Sequence, residues 1–177
     1  AKAFAETGNL RAAAKEAWLF TLPLIEMART RGQQATRPNT LVHVRNLATW
    51  QSRQVTAPNS DTLYSSAWLD LSKGPVTVTL PPPTTRYQSV HVMNMYTETE
   101  AVLGARSLGN QGGIVTLVGP GKPASGKSVI QLSTPHGWII ARTLVDGHQD
   151  LPAANKSQDG LIIKGPETGL PAKFAPR

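Results

Sequence analysis

Apolar and polar residues alternate along most of the chain after Leu63, and this two-residue period constrains the fold more than any other feature. The clearest stretch is NSDTLYSSAWLDL, residues 59–71. Its first residues favour a turn, since Asn, Ser and Asp side chains hydrogen-bond their own backbone. Further on, Ser65, Ala67 and Leu69 would share one face of a strand. The stretch therefore predicts a polar turn that leads into a half-buried strand.

Other segments of the chain also have strand character and are bounded by Gly, Pro or polar residues. They are residues 41–44, 76–80, 87–96, 114–118, 128–132, 138–145 and 161–163. No βαβ alternation separates them, so the pattern predicts a mainly β protein with an N-terminal helical cap. We expect an antiparallel β-sandwich, immunoglobulin-like or jelly-roll-like.

Helical spacing is confined mostly to the start of the chain. A helix is predicted over residues 10–31, with Asn9 as its N-cap, a break or kink at Pro23 and an end at Gly32. The face expected to join the core comprises Ala14, Trp18, Thr21, Ile25 and Ala28. A second, short helix is predicted over residues 151–158, capped by Asp150.

Composition favours one domain with a basic surface. The 177 residues carry a net charge of +7, and 16% of them are charged. We expect a helical segment over residues 1–32, a sandwich over 33–164 and a Pro/Gly-rich tail or linker over 165–177. The absence of cysteine excludes disulfides, thiolate zinc sites and cysteine nucleophiles. No transmembrane span and no nucleic-acid partner are predicted, and oligomer formation is left open.

Two motifs are suggestive of cofactors but lack part of what the chemistry needs. GKPASGKS, residues 121–128, matches the phosphate-loop pattern, yet β-branched residues and Pro135 follow where a helix is required. His91, Met93 and Met95 share one strand face, and imidazole with thioether suits copper. One histidine is too few for a metal site, so we predict no metal and no cofactor and keep His91 and Met93 as the candidates.

A set of polar residues around the central turn forms the candidate ligand site: Asn59, Asp61, Tyr64, Arg86, Arg106 and Arg142. Arg142 lies between Ile140 and Leu144 on an apolar face, so a bond to Asp61 or Asp70 is expected. Arginines there would bind a small anionic or carbonyl group. The main hypothesis is a binding or accessory module, and the alternative is a hydrolase-like enzyme acting at Asn59, Asp61, Tyr64 and Arg142.

Three segments resemble one protein family. NSDTLYSSAWLDL, RYQSVHVMNMYTETEAVLGAR (86–106) and GWIIARTLVDG (137–147) are similar to the DUF1254 family, whose activity is not defined. The resemblance implies an exported bacterial protein, periplasmic or secreted, with its signal peptide removed. It also implies a second β domain or partner chain beside this one.

Overall fold

Nine β-strands form two sheets in the part of the chain that the structure describes, and one long helix precedes them. This computed structural model describes residues 9–34, 36–52, 57–82, 85–123, 126 and 128–170, and for Asn110 the backbone alone. The strands are β1 (Val42–His43), β2 (Thr62–Asp70), β3 (Val76–Leu80), β4 (Gln88–Asn94), β5 (Thr99–Gly104), β6 (Gly113–Val118), β7 (Val129–Gln131), β8 (His136–Leu144) and β9 (Ile162–Lys164). The helices are α1 (Leu10–Gln34), α2 (Ala105–Leu108) and α3 (Leu151–Asp159), with 3-10 turns at Gly109–Gln111 and His148–Asp150.

The first sheet has the order β1-β2-β8-β4-β5 and the second has the order β7-β6-β3-β9. Every pair is antiparallel except β6 and β7, which run parallel with Thr116 opposite Val129. The family resemblance implies that the Gly/Pro-rich loop of residues 119–127 joins two antiparallel strands, and this prediction is wrong. Strands β6 and β7 instead run in the same direction, with Leu117 opposite Ile130. The mainly antiparallel sandwich is confirmed.

The core lies between the two sheets and follows the predicted alternation. Ala67 and Leu69 of β2 point into it, beside Ile139 of β8, and meet Val78 and Leu117 of the second sheet. All five are at most 2% exposed. Each large side chain of this kind contributes roughly 1.5–3 kcal/mol when fully buried. The inward face predicted for β2 is therefore confirmed.

Helix α1 begins and ends close to the predicted bounds but buries a different face. Asn9 caps it, since the Asn9 Oδ1 accepts a hydrogen bond from the Ala12 amide at 3.0 Å. The helix passes through Pro23 without ending, so the predicted division there is wrong. Trp18 and Ile25 are 56% and 39% exposed, so their predicted place in the core is also wrong.

The buried face of α1 covers one end of the outer face of the first sheet. Met27 packs there against Trp68 and Met95, and Trp138 lies alongside. The two indole rings stack with centroids 4.7 Å apart, a contact worth roughly 0.5–1.5 kcal/mol beyond burial. Trp68 Nε1 donates to the Gln34 side chain at 2.6 Å, near the end of the helix. The outer face of this sheet is thus apolar at one end, like its inner face.

Most of the remaining elements lie where they were predicted, but strand β5 and the short helix α2 were not predicted. Helix α3 occupies nearly the predicted residues, and β9 is an edge strand beside β3. No helix within the described residues is both long and apolar enough to cross a membrane.

Candidate functional site

A cavity of about 920 Å³ opens beside β5, the edge strand of the first sheet. Four stretches of chain form its walls: the end of β3, the start of β4, the end of β5 with α2, and α3. The lining residues are Leu80, Pro81, Pro82, Arg86, Tyr87, Gln88, Ser89, Val102, Leu103, Gly104, Ala105, Arg106, Ser107, Leu108, Gly109, Gly112, Ala153, Lys156, Ser157 and Gly160. This volume is near the upper end of the ~300–1,000 Å³ typical of small-molecule sites.

The floor of the cavity is apolar and continuous with the core. Leu103 and Leu80 are 4% and 5% exposed and belong to the main core cluster, against which Leu108 also packs. Val102 reaches the cavity from a more exposed position, with 56% of its surface accessible. A ligand that enters would therefore contact hydrocarbon along much of its surface.

Glycines let the walls approach one another closely. Gly112 has a φ of 64°, and a Cβ there would lie 2.5 Å from the Leu80 carbonyl oxygen. At Gly104, where β5 ends and α2 begins, a Cβ would lie 3.0 Å from the Gln88 carbonyl oxygen. Larger residues at either position would push the α2 segment away from β3 or β4. The shape of the cavity thus depends on these two glycines.

Arg86 lines the cavity, and its guanidinium is held by Asp150. Both Nη atoms of Arg86 donate to the Asp150 carboxylate, and Nη1 also donates to the Leu144 carbonyl oxygen at 2.6 Å. The hydrogen bonds from Arg86 lower the pKa of Asp150 to about 2, helped by the backbone amide of Asp146. Asp150 occupies the predicted N-cap position of α3, but its side chain makes no cap hydrogen bond.

The other two cations in the lining have a different environment. Arg106 on α2 and Lys156 on α3 are both exposed, and no ion pair involving either occurs among the described residues. The carboxylate of Asp159, also on α3, pairs with Arg45 at 2.6 Å instead. Within the described chain, the lining of the cavity contains no Asp, Glu or His. Its electrostatic character is therefore positive.

Polar atoms on the β4 wall are already engaged with neighbours. Gln88 Nε2 donates to the Ser157 carbonyl oxygen at 3.1 Å, which ties β4 to α3. The Tyr87 hydroxyl donates to Ser89 Oγ at 3.0 Å. These contacts fix the β4 wall. Among the described residues of the cavity, Arg106 on α2 and Lys156 on α3 are thus the charged groups that have no carboxylate partner.

Two of the six predicted ligand residues, Arg86 and Arg106, line this cavity, whereas Asn59 and Asp61 remain in the turn before β2. Asn59 Oδ1 accepts hydrogen bonds from the amides of Asp61 and Thr62 at 2.9 and 3.1 Å. The predicted role of Asn59 within its own turn is therefore confirmed. A ligand role for these two turn residues stays a prediction.

Tyr64 and Arg142 lie on the outer face of the first sheet. They are cross-strand neighbours, and the Arg142 guanidinium sits 5.6 Å from the centre of the Tyr64 ring. No ion pair to Arg142 occurs within the described residues, so the predicted bond to Asp61 or Asp70 is wrong. Ile140 and Leu144, the apolar neighbours of Arg142, lie with it on the outer face and not in the core. On that face a half-buried cation can be stabilised by an aromatic ring.

Asp70 belongs to a separate polar cluster at the other end of β2. Its Oδ1 accepts hydrogen bonds from the amide and hydroxyl of Ser72, at 3.0 and 2.6 Å, and lies 3.6 Å from His136 Nε2. Burial raises the pKa of Asp70, but the Ser72 hydrogen bonds, His136 and Arg31 together hold it below its usual value. Ser72 and His136 both face the carboxylate, whereas in a catalytic triad the histidine stands between the other two. This cluster therefore lacks the order that hydrolysis would need.

The stripe of His91, Met93 and Met95 lies on the outer face of the first sheet. Met95 packs beneath α1, while His91 Nε2 contacts the Thr99 hydroxyl at 2.8 Å. Burial and the nearby Arg142 lower the pKa of His91. In the part of the chain that the structure describes, no three His, Asp or Glu side chains come together as a metal site would require.

The phosphate-loop pattern ends in a strand. Ser128 is followed by β7, so no helix N-terminus is available there to face a phosphate. Residues 124, 125 and 127 of the pattern lie outside the described residues. The expectation that a strand follows this loop is confirmed.

The chain resembles solved structures over most of its length. It superimposes on the VPA0106 protein from Vibrio parahaemolyticus with a TM-score of 0.71 and 19% identity over 93% of this chain and 42% of that one. An uncharacterised protein from Burkholderia cenocepacia matches with a TM-score of 0.45 and 12% identity, over 76% and 38% of the two chains. The chain thus spans less than half the length of either structure, and the first match supports the fold.

The family comparison agrees with the motifs. No curated protein matches the chain. The model of the family described as "Protein of unknown function (DUF1254)" matches residues 38–165, which include β1 to β9 and every residue that lines the cavity. Since this match covers well over half of the chain, the protein belongs to the DUF1254 family.

Proposed function

We propose that the chain is a small-molecule-binding domain whose ligand occupies the cavity beside β5. The observation that carries this proposal is a cavity of about 920 Å³ whose apolar floor, formed by Leu80 and Leu103, has cations around it. Large apolar pockets with a few polar groups are the usual form of ligand sites.

Binding is favoured over catalysis by the chemistry of the lining. The serine hydroxyls of the cavity wall are engaged locally: Ser89 accepts from Tyr87, and Ser107 bonds the backbone of Gly104. The described lining offers neither a histidine nor a carboxylate to act as a general base. The hydrolase-like alternative at the turn and at Arg142 gains no comparable support.

We also propose that the domain works outside the cytoplasm, in the periplasm or secreted. The support for this is the family resemblance, which points to export. Fractionation of cells that express the whole gene product tests it. Recovery of that product with a cytoplasmic marker would refute the proposal.

The binding function is tested by filling the cavity. Ala153 is an exposed lining residue on α3, so Ala153→Trp should occupy the space with little cost in stability. Ala17→Trp, at an exposed position of α1 outside the lining, is the matched control. We expect a neutral fluorescent apolar probe such as N-phenyl-1-naphthylamine to bind the parent protein and Ala17→Trp alike, and Ala153→Trp at least about tenfold more weakly. Equal binding to all three would refute a ligand site in this cavity.

A further inference from the structure

We infer that the ligand is an amphiphile with an anionic headgroup, which Arg106 and Lys156 hold while its apolar body lies on the leucines of the floor. This inference rests on the proposed binding function and adds the chemical class of the ligand. It follows from which cations of the cavity are already neutralised and which are not.

Arg86 is a candidate to bind an anionic ligand, but its guanidinium is already bound within the protein. Its guanidinium is engaged by the Asp150 carboxylate and the Leu144 carbonyl oxygen, and 16% of its side chain is exposed. A ligand carboxylate would have to displace a bidentate, partly desolvated pair, which is among the stronger polar contacts in proteins. Arg86 therefore shapes the wall and does not bind the headgroup.

Arg106 and Lys156 remain as the charges that a ligand can reach. They come from two different helices, α2 and α3, which both border the cavity. The acids at the two ends of α3 are already in ion pairs. Asp150, just before the helix, pairs with Arg86, and Asp159, its last residue, pairs with Arg45. Two cations next to a site without carboxylates attract an anion and disfavour a cation of the same shape.

The apolar floor demands a hydrocarbon body as well as a charge. Leu80, Leu103 and Leu108 contribute side chains, and Val102 and the prolines that follow β3 extend the apolar wall. A small hydrophilic anion such as acetate would leave most of this surface in contact with water. An alkyl or aryl chain would gain roughly 25 cal/mol for each Å² of apolar surface that it covers.

The test compares four ligands of equal chain length below their micellar concentrations: decanoate, decyl phosphate, decanol and decyltrimethylammonium. Isothermal titration at pH 7 with the unmodified protein should give measurable binding of an anion and about tenfold weaker binding of decanol. The cation should bind most weakly. The two anions distinguish a carboxylate headgroup from a phosphate headgroup, and tighter binding of either supports the inference.

The protein variants assign the headgroup to its residues. Arg106→Gln with Lys156→Gln should weaken the preferred anion about tenfold, the loss expected for a charge-assisted hydrogen bond, and leave decanol unchanged. The control, Lys73→Gln with Lys122→Gln, removes two exposed cations outside the lining and should change neither. A melting temperature for each variant confirms that it is folded.

The outcomes separate the two claims. The headgroup assignment is overturned if decanol binds as tightly as the anions, or if the two double variants have the same affinity for the preferred anion. The binding function stands in either case. Preference for decyltrimethylammonium would overturn it as well. If no decyl ligand binds and Ala153→Trp has no effect on the apolar probe, the binding function itself fails.

Discussion

Replacement of Gln158 by methionine should destabilise the fold through the loss of one buried amide. Gln158 lies in α3 and is fully buried. Its Nε2 carries two hydrogens, which are shared among three acceptors: the carbonyl oxygens of Val44 and Tyr64, both at 3.2 Å, and Ser65 Oγ at 3.1 Å. One side chain thus fastens the helix to β2 and to the residue after β1. Methionine has similar length and flexibility but cannot donate.

The loss of stability in Gln158→Met depends on which hydrogen bonds each of the three acceptors retains. The Tyr64 carbonyl retains the Val44 amide at 2.8 Å, and Ser65 Oγ retains its contact with His43 at 2.8 Å. The Val44 carbonyl loses the side-chain donor that the structure shows for it. A buried carbonyl left without a donor costs ~1–3 kcal/mol, and each other lost bond costs ~0.5–1.5 kcal/mol. Burial of the apolar methionine offsets part of this, so we expect a loss of about 3 kcal/mol.

Urea denaturation at pH 7 measures the free energy of unfolding of Gln158→Met. Lys156→Met on the same helix is the control, because Lys156 is exposed and has no ion-pair partner within the described residues. The control should change the free energy by less than about 0.5 kcal/mol. A loss below about 1 kcal/mol for Gln158→Met, with an unchanged dependence on urea, would refute the reasoning.

Two further outcomes are expected. Because the pKa of Asp150 is lowered to about 2, its ionised form contributes stability that is complete above the unfolded pKa of ~3.9 and is lost as the pH falls toward 2. Asp150→Asn should therefore flatten the fall of the urea midpoint in this range, and an unchanged slope would contradict the role of the Arg86 pair. Gly112→Ala should lower the melting temperature more than Gly109→Ala, as a Cβ at 112 would meet backbone at 2.5 Å and one at 109 meets nothing within 4 Å. Since φ is 64° and 68° at the two sites, equal losses would indicate that φ alone matters.

The sequence predicted the parts of the fold that depend on local periodicity. The alternation of Ser65, Ala67 and Leu69 places them on the buried face of β2, as expected. Asn59 closes its turn because an amide side chain can reach its own backbone whatever the rest of the chain does. Such features need only neighbouring residues, and one sequence is enough to show them.

Errors arose where a second layer covers an apolar face. The outer face of the first sheet carries Trp68 and Trp138 because α1 packs over it, so the alternation around Arg142 does not reveal which side faces the core. Helix α1 has more apolar surface than one contact can bury. The pattern predicts that the stripe of Trp18 and Ile25 joins the core, but Met27 faces the sheet instead. Periodicity identifies a face and cannot say what covers it.

The candidate site was found only in part, because no local motif encodes it. The cavity combines segments about 80 residues apart, from Leu80 to Gly160. Arg86 and Arg106 were selected as cations near the central turn, but Lys156 and Leu103 were missed. A lysine on a short helix and a leucine in a strand carry no signal until the strand order is known. Residues 101–145, which include Arg106, contain no Asp or Glu, and this was an indication of a positive site that the sequence alone offered.

The wall of the cavity formed by α3 is held by polar contacts and by a small apolar cluster, in which Ala154 packs with Leu63 and Val145. Ahead of its first residue, Asp150 binds Arg86 at the start of β4, and near its end Gln158 binds the backbone beside β1 and β2. Within the helix, the carbonyl oxygen of Ser157 accepts a hydrogen bond from Gln88 Nε2 of β4. No residue of α3 belongs to the main core cluster between the two sheets. The residues that position α3 are therefore largely distinct from those that pack the two sheets together, although Gln158 contributes to the stability of the fold as well.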